Sequence, residues 1–228
     1  MDTTNNPIMP QEENRVRIAL AEKETLLLRT LANHNLQHDA LNILIIAYKD
    51  VNRLDLYAKS CNKHTYLHLA QYKICGRSGT LGPKKAEGDK QVPEGFYHIA
   101  RFNPKSKFYL SLGINYPNEL DRALQHTGSD IFIHGKCDSK GCLAIGDDNI
   151  KEIYLYALWA KESGQSSIPV YIFPFEMTEE NMQKYRPQFE EKTLAFWKNL
   201  QQGYRMFQQT KKEIRFHVES GTYLFTLS

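Results

Sequence analysis

Strand-like runs at residues 41–48, 53–59, 65–72, 93–99, 108–114 and 168–174, each closed by turn residues, constrain this chain more than any other feature. Apolar segments of that length between turn signals argue for β-strands. Period two is clearest in Phe108-Tyr-Leu-Ser-Leu-Gly-Ile114, which predicts Phe108, Leu110, Leu112 and Ile114 on one face. Helical periodicity brackets these runs. Val16, Ala19, Leu20, Leu27 and Leu31 can share one face of a helix over 15–32, while residues 1–12 are polar and expected to be loose. Ile150, Ile153, Tyr154, Ala157 and Leu158 predict a helix begun by residues 147–149, with Asn149 and Glu152 as a capping-box-like pair. Residues 178–187 read as a helix ended by Pro187. A long amphipathic helix over 188–209 follows, with Phe189, Thr193, Phe196, Leu200, Tyr204 and Phe207 on one side as core packing. A hairpin around Ser220-Gly221 closes the chain. The expected class is α+β, with a polar segment and helix over 1–40, a β-rich unit over 41–177, and a helical extension ending in a hairpin over 178–228.

At 228 residues, with 41% hydrophobic and 24% charged residues, the chain can bury a core without staples. A formal net charge of +3 is too weak to argue for a nucleic-acid partner. No apolar stretch approaches the roughly 20 residues of a membrane span. The start lacks the basic and apolar regions of a signal peptide, which points to a cytoplasmic protein or a mature form with a replaced start. Four cysteines, Cys61, Cys75, Cys137 and Cys142, are too few for a disulfide framework. Cys61 and Cys75 flank a strand-like segment and could pair only if the backbone brings them together; inert buried thiols are the other reading. Residues 76–90, rich in glycine and charge, read as a long surface loop, either a functional rim or disordered. Their spacing is not that of a phosphate loop.

The chemistry concentrates in His134-Gly-Lys-Cys-Asp-Ser-Lys-Gly-Cys142. An apolar run, Asp130-Ile-Phe-Ile-His134, leads in, and Leu143-Ala-Ile145 leads out. A histidine at a strand end facing a cysteine across a short loop can form a thiolate–imidazolium pair, the minimal nucleophile and base of acyl transfer. Cys137 is the rival nucleophile, read as a packed thiol or one half of a bridge. A zinc site on His134, Cys137 and Cys142 lacks a fourth ligand. His98, His126 and His217 read as surface or hydrogen-bonded histidines, with His126 kept as a weaker candidate for the site.

Ile133-His134-Gly135 followed by Ser139-Lys140-Gly141-Cys142 resembles the YkuD-type L,D-transpeptidase domain of bacterial cell-wall enzymes, its YafK-like branch in particular. Ile74-Cys-Gly-Arg-Ser-Gly79, residues 88–97, Tyr116-Pro-Asn-Glu-Leu-Asp-Arg122, Ile172-Phe-Pro-Phe175 and residues 196–204 look similar too. Lys140 departs from the main branch, which places a second, substrate-orienting histidine there. The resemblance implies a YkuD-like β-rich catalytic core with an N-terminal helix and a long C-terminal helix. It implies Cys142 as nucleophile and His134 as base, the imidazole held by the Gly135 carbonyl. The N–H groups of Gly141 and Cys142 are expected as oxyanion donors. Ser139, Tyr116 and Arg122 are candidate substrate contacts, with Arg122 suited to a carboxylate.

The implied substrate is the peptidoglycan stem peptide, with a wall-anchored protein as a further acceptor or substrate and no metal or cofactor. Transpeptidase, carboxypeptidase and hydrolase activities compete, and the missing histidine tilts the reading toward hydrolysis. A non-catalytic wall-binding module of the same fold is the other class. The expected compartment is the periplasm or cell envelope, with an export signal or lipid anchor encoded upstream of Met1.

Overall fold

The computed structural model describes residues 11–226. The loose start expected at 1–12 therefore lies, for residues 1–10, outside the described residues, and Gln11 already belongs to a helix. Helix α1 (Gln11–Asn33) leads into the antiparallel strands β1 (Leu41–Tyr48), β2 (Arg53–Ser60) and β3 (Leu67–Lys73). Next come β4 (Gly95–Asn103), β5 (Ser111–Ile114), α2 (Glu119–Ala123), β6 (Phe132–His134) and β7 (Leu143–Ala144). Helix α3 (Asp147–Glu162) and β8 (Pro169–Phe173) follow, then α4 (Glu179–Tyr185), α5 (Glu191–Thr210) and the hairpin of β9 (Arg215–Glu219) and β10 (Thr222–Thr226). The first eight strands form one sheet in the order β3-β2-β1-β8-β4-β5-β6-β7. β8 enters its middle, parallel to β1 and antiparallel to β4.

The apolar run of β1 follows from burial on both faces. Ile43, Ile45 and Ala47 join the core under α1 and α3, while Leu44, Ile46 and Tyr48 join the core under α5 and the hairpin. Strands with one solvated face would alternate instead. On the α5 side, Thr193, Leu200, Tyr204 and Phe207 are buried as expected, with Trp197 fully buried among them. Phe189 precedes the helix and Phe196 is only half-buried, because the helix begins at Glu191. The expected capping pair at Asn149 is also corrected. Helix α3 starts at Asp147 after Gly146, and the Asn149 side chain donates instead to the Ile145 carbonyl. The short α2 was not anticipated; Asn118 caps it, accepting from the Asp121 N–H while its own N–H donates to the Asp121 carboxylate.

The run 108–114 is a strand only from Ser111. Tyr109 takes a left-handed φ of 75°, which breaks the extended chain and turns Phe108 away from the face shared by Leu110, Leu112 and Ile114. Arg15 on α1 fixes this kink by donating from Nη1 to the Ser106 and Tyr109 carbonyls, both at 2.6 Å.

The glycine-rich segment 76–90 is ordered rather than loose. Lys49, just past β1, has no solvent exposure, and its three ammonium protons go to the Gly82 carbonyl (2.8 Å), the Val92 carbonyl (2.9 Å) and Glu94 Oε1 (2.9 Å). Glu94 also accepts from the Gly82 N–H at 2.7 Å and, through Oε2, from the Trp197 indole at 2.7 Å. Asp89 gathers the Lys84 ammonium and the N–H groups of Lys85, Ala86 and Gln91. Burial works to raise the Asp89 pKa, yet these donors together bring it down to about 2. Truncating Glu94 leaves Lys49 buried without its counter-ion, so Glu94→Ala is expected to lose about 3–5 kcal/mol in urea unfolding. An unchanged midpoint would refute the role given to this pair.

Candidate active site

His134 ends β6, opposite Ser111 of β5 and beside Ala144 of β7. Its Nδ1 donates to the Gly135 carbonyl at 2.6 Å; since a carbonyl only accepts, the proton sits on Nδ1 and Nε2 is bare. The backbone at Gly135 has no room for a side chain. A Cβ there would meet Asp147 Oδ1 at 2.5 Å and the Phe108 carbonyl at 2.6 Å. The Phe108 ring, displaced by the Tyr109 kink, lies against the imidazole with centroids 4.5 Å apart. Burial pushes the His134 pKa down, against the opposing pull of the Gly135 carbonyl.

Cys142 is a free thiol at the mouth of β7. Its Sγ accepts from the Phe132 N–H at 3.4 Å and faces the Asp130 carbonyl at 3.5 Å. Burial raises the thiol pKa, with Asp130 adding to it, while the Phe132 N–H and Lys84 oppose. His134 and Cys142 both line one cleft of about 590 Å³, with Arg101, Asn103 and Ser111. Among the described residues no hydrogen bond joins thiol to imidazole. Burial disfavours the charged form of each group, so desolvation works against the expected thiolate–imidazolium pair.

The expected oxyanion donors are occupied as well. Gly141, held at a φ of +99° that suits glycine, donates its N–H to Ser78 Oγ at 2.7 Å. The Cys142 N–H donates to Ser139 Oγ at 3.0 Å, and that hydroxyl donates back to the Cys142 carbonyl at 2.7 Å. Ser139 thus ties the loop to the backbone of Cys142. Ser78 was not singled out from the sequence; its signal was membership of the Ile74–Gly79 segment, and its own hydroxyl donates to the Lys90 carbonyl.

Two expected substrate contacts lie elsewhere. Tyr116 is buried, its hydroxyl between the Thr127 and Lys84 carbonyls at 3.1 and 3.3 Å, and it does not line the cleft. Arg122 sits on the exposed side of α2, donating to the Pro117 carbonyl and lining a separate groove with His98. His126 pairs with Asp121 at 3.3 Å, also outside the cleft, and Lys140 is exposed.

Cys137 is disulfide-bonded to Cys75, with Cα atoms 5.3 Å apart across 62 residues. Of the readings the sequence left open, Cys137 is one half of a bridge and Cys61 does not pair with Cys75, which removes Cys137 as a rival nucleophile and removes the thiolate a zinc site would need. Cys61 is free and exposed. The disulfide sits beside the bridge between Gly76 and Ala144, so segment 74–78 is stitched to β7 next to the thiol. Among the described residues no group of three His, Cys, Asp or Glu could hold a metal.

The L,D-transpeptidase catalytic domain (YkuD) family model matches residues 68–172. The candidate L,D-transpeptidase YafK of Escherichia coli (strain K12) is 40% identical over 185 residues, covering 80% of this chain and 73% of that protein. The chain belongs to the L,D-transpeptidase family. The YafK of Escherichia coli O157:H7 matches with the same figures. Among solved structures, the cell-shape protein Pgp2 of Campylobacter jejuni superposes with a TM-score of 0.48 at 21% identity, covering 78% of this chain and 74% of that one. Bd1075 of Bdellovibrio bacteriovorus gives 0.44 at 18%, covering 82% and 77%. Family membership supports a peptidoglycan-related role and makes an enzyme the expected class.

In a Cys61→Ser background, iodoacetamide labelling of Cys142 should be slow at pH 7 and rise with an inflection above the ordinary thiol value, because burial favours the protonated form. A fast, low-pH inflection would show that an ion pair forms after all. Thiol titration of the denatured, unreduced protein should find two free thiols, and four after reduction. Cys137→Ser should cost about 2–4 kcal/mol of stability by loosening segment 74–78.

Proposed function

We propose that this protein performs cysteine-dependent acyl transfer or hydrolysis on peptidoglycan stem peptides. The observation that carries the reading is the free Cys142 in one cleft with His134, whose Nδ1 is held by Gly135 so that Nε2 is left to act as base. Sγ attacks the carbonyl that follows the L-configured centre of a diamino acid, and Nε2 takes the thiol proton. The proton then passes to the departing amine as the C–N bond breaks, leaving a thioester on Cys142. Water, or an amine, attacks that thioester with His134 again as base, releasing the acid or a new amide. A lowered imidazole pKa suits this work, since the ring is neutral and ready to accept at pH 7.

The tetrahedral oxygen has to take over a donor that a serine now holds. Exchange at the Gly141 N–H, by rotation of Ser78, is the smaller change, because Ser139 grips both N–H and C=O of Cys142. Residues 41–177 form the proposed catalytic unit, braced by α1 and α5. Lys140 in place of a histidine favours water over a positioned amine. A wall-anchored protein is a further proposed acceptor or substrate. The Cys75–Cys137 disulfide favours an oxidising compartment, hence the periplasm or cell envelope. Among the described residues no helix is long and apolar enough to cross a membrane.

The deciding experiment is mass spectrometry of purified muropeptides incubated with wild type and Cys142→Ala. Loss of terminal D-alanine identifies a carboxypeptidase, new dimers a transpeptidase, and release of a bound protein or cross-link a hydrolase; each should vanish in Cys142→Ala. Full activity in that variant would sink the mechanism. Peptide binding without any adduct on wild-type Cys142 would instead identify a non-catalytic wall-binding module.

A further inference from the structure

The floor of the cleft is one face of three strands. In the register of β4, β5 and β6, Asn103, Ser111 and His134 stand opposite one another in one row, and Arg101, Gly113 and Phe132 form the next. Directly opposed residues of an antiparallel ladder point to the same face. The intervening row, Phe102, Leu112 and Ile133, points the other way into the core under α1 and α3. Ser111 is therefore a cleft residue, and it does line the cleft with Asn103, His134 and Cys142.

Ser111 is 1% exposed, and among the described residues its Oγ has no hydrogen-bond partner. A buried hydroxyl without a partner lowers stability and calls for an explanation. Of the neighbouring groups, His134 Nδ1 is engaged with Gly135, the Arg101 guanidinium with Asp130 at 2.6 Å, and Ser139 and Ser78 with the nucleophile loop, while the bare His134 Nε2 makes no hydrogen bond to Ser111. Gly113, the next residue up on the same face, brings no side chain over the floor. A Cβ there would already touch the Phe132 ring at 3.0 Å, and Arg101 lies over that ring.

We propose that Ser111 is a substrate-binding residue, its hydroxyl hydrogen-bonding a main-chain amide group of the acyl-donor peptide. Opposed cross-strand side chains stand about 5 Å apart, roughly one and a half residues of extended chain. With the attacked carbonyl at the Cys142–His134 end, Ser111 meets the amide of the adjoining residue. A hydroxyl suits that site because it can donate to a peptide C=O or accept from a peptide N–H. This inference rests on the acyl-transfer reading and specifies where its substrate is gripped.

The test compares the wild-type chain with Ser111→Ala, using a synthetic stem tetrapeptide and intact-mass detection of the adduct on Cys142 across peptide concentrations. The half-saturating concentration should rise about tenfold in Ser111→Ala, the size of one lost hydrogen bond, with the maximal rate little changed. Iodoacetamide labelling of Cys142 should be unaltered, and the melting temperature should hold or rise, because the variant removes an unpaired buried hydroxyl. A merely structural serine would lower the melting temperature or shift the labelling rate, and that result overturns the proposal. So does an unchanged half-saturating concentration. If wild type binds the peptide without forming an adduct, the acyl-transfer reading fails alone; a tenfold weaker calorimetric Kd in Ser111→Ala then still supports this site, and an equal Kd refutes it. A wild type that neither binds nor reacts overturns both.

Discussion

A lysine and a glutamate with no exposed side-chain surface, Lys49 and Glu94, hold the working parts of this molecule together. Each ion taken out of water costs several kcal/mol, so such a pair persists only when every proton and lone pair is answered. Here they are. Lys49 comes from the end of the central strand β1, Glu94 from the entrance to β4, Gly82 and Val92 from the loop between, and Trp197 from α5. Because the ammonium takes two loop carbonyls, segment 76–94 is folded onto the sheet rather than hanging from it. That segment in turn delivers Ser78 to the Gly141 N–H.

From the other side, α1 performs the matching task. Arg15 grips the Ser106 and Tyr109 carbonyls and sets the kink that lays Phe108 on His134. Lys23 reaches Asp148 and Glu152 on α3, the helix that begins just after the nucleophile loop. The terminal segments are thus braces of the cleft walls.

In the site between these braces, burial disfavours the charged form of both thiol and imidazole, and serines hold the Gly141 and Cys142 N–H groups. An ion pair outweighs desolvation only when the two charges approach closely, and among the described residues no hydrogen bond joins thiol to imidazole.

The strands β1, β2 and β8, the helices α1, α3 and α5, and the closing hairpin could all be read from the sequence, because continuous burial or an amphipathic face writes a periodic apolar pattern into the chain. The proposed nucleophile and base, Cys142 and His134, stand out in the sequence because they lie close together and inside a family motif. The residues around them were not. The Cys75–Cys137 disulfide spans 62 residues. Ser78, Phe108 and Ser111 meet the site from separate segments, and a lone serine or a ring at a kink carries no periodic signal. Neither Tyr116 nor Arg122 lines the cleft, and α2, which carries Arg122, is too short to write a helical pattern into the sequence. The protonation state lay beyond the sequence altogether: it depends on how far each group is withdrawn from water, which exists only once the chain is folded.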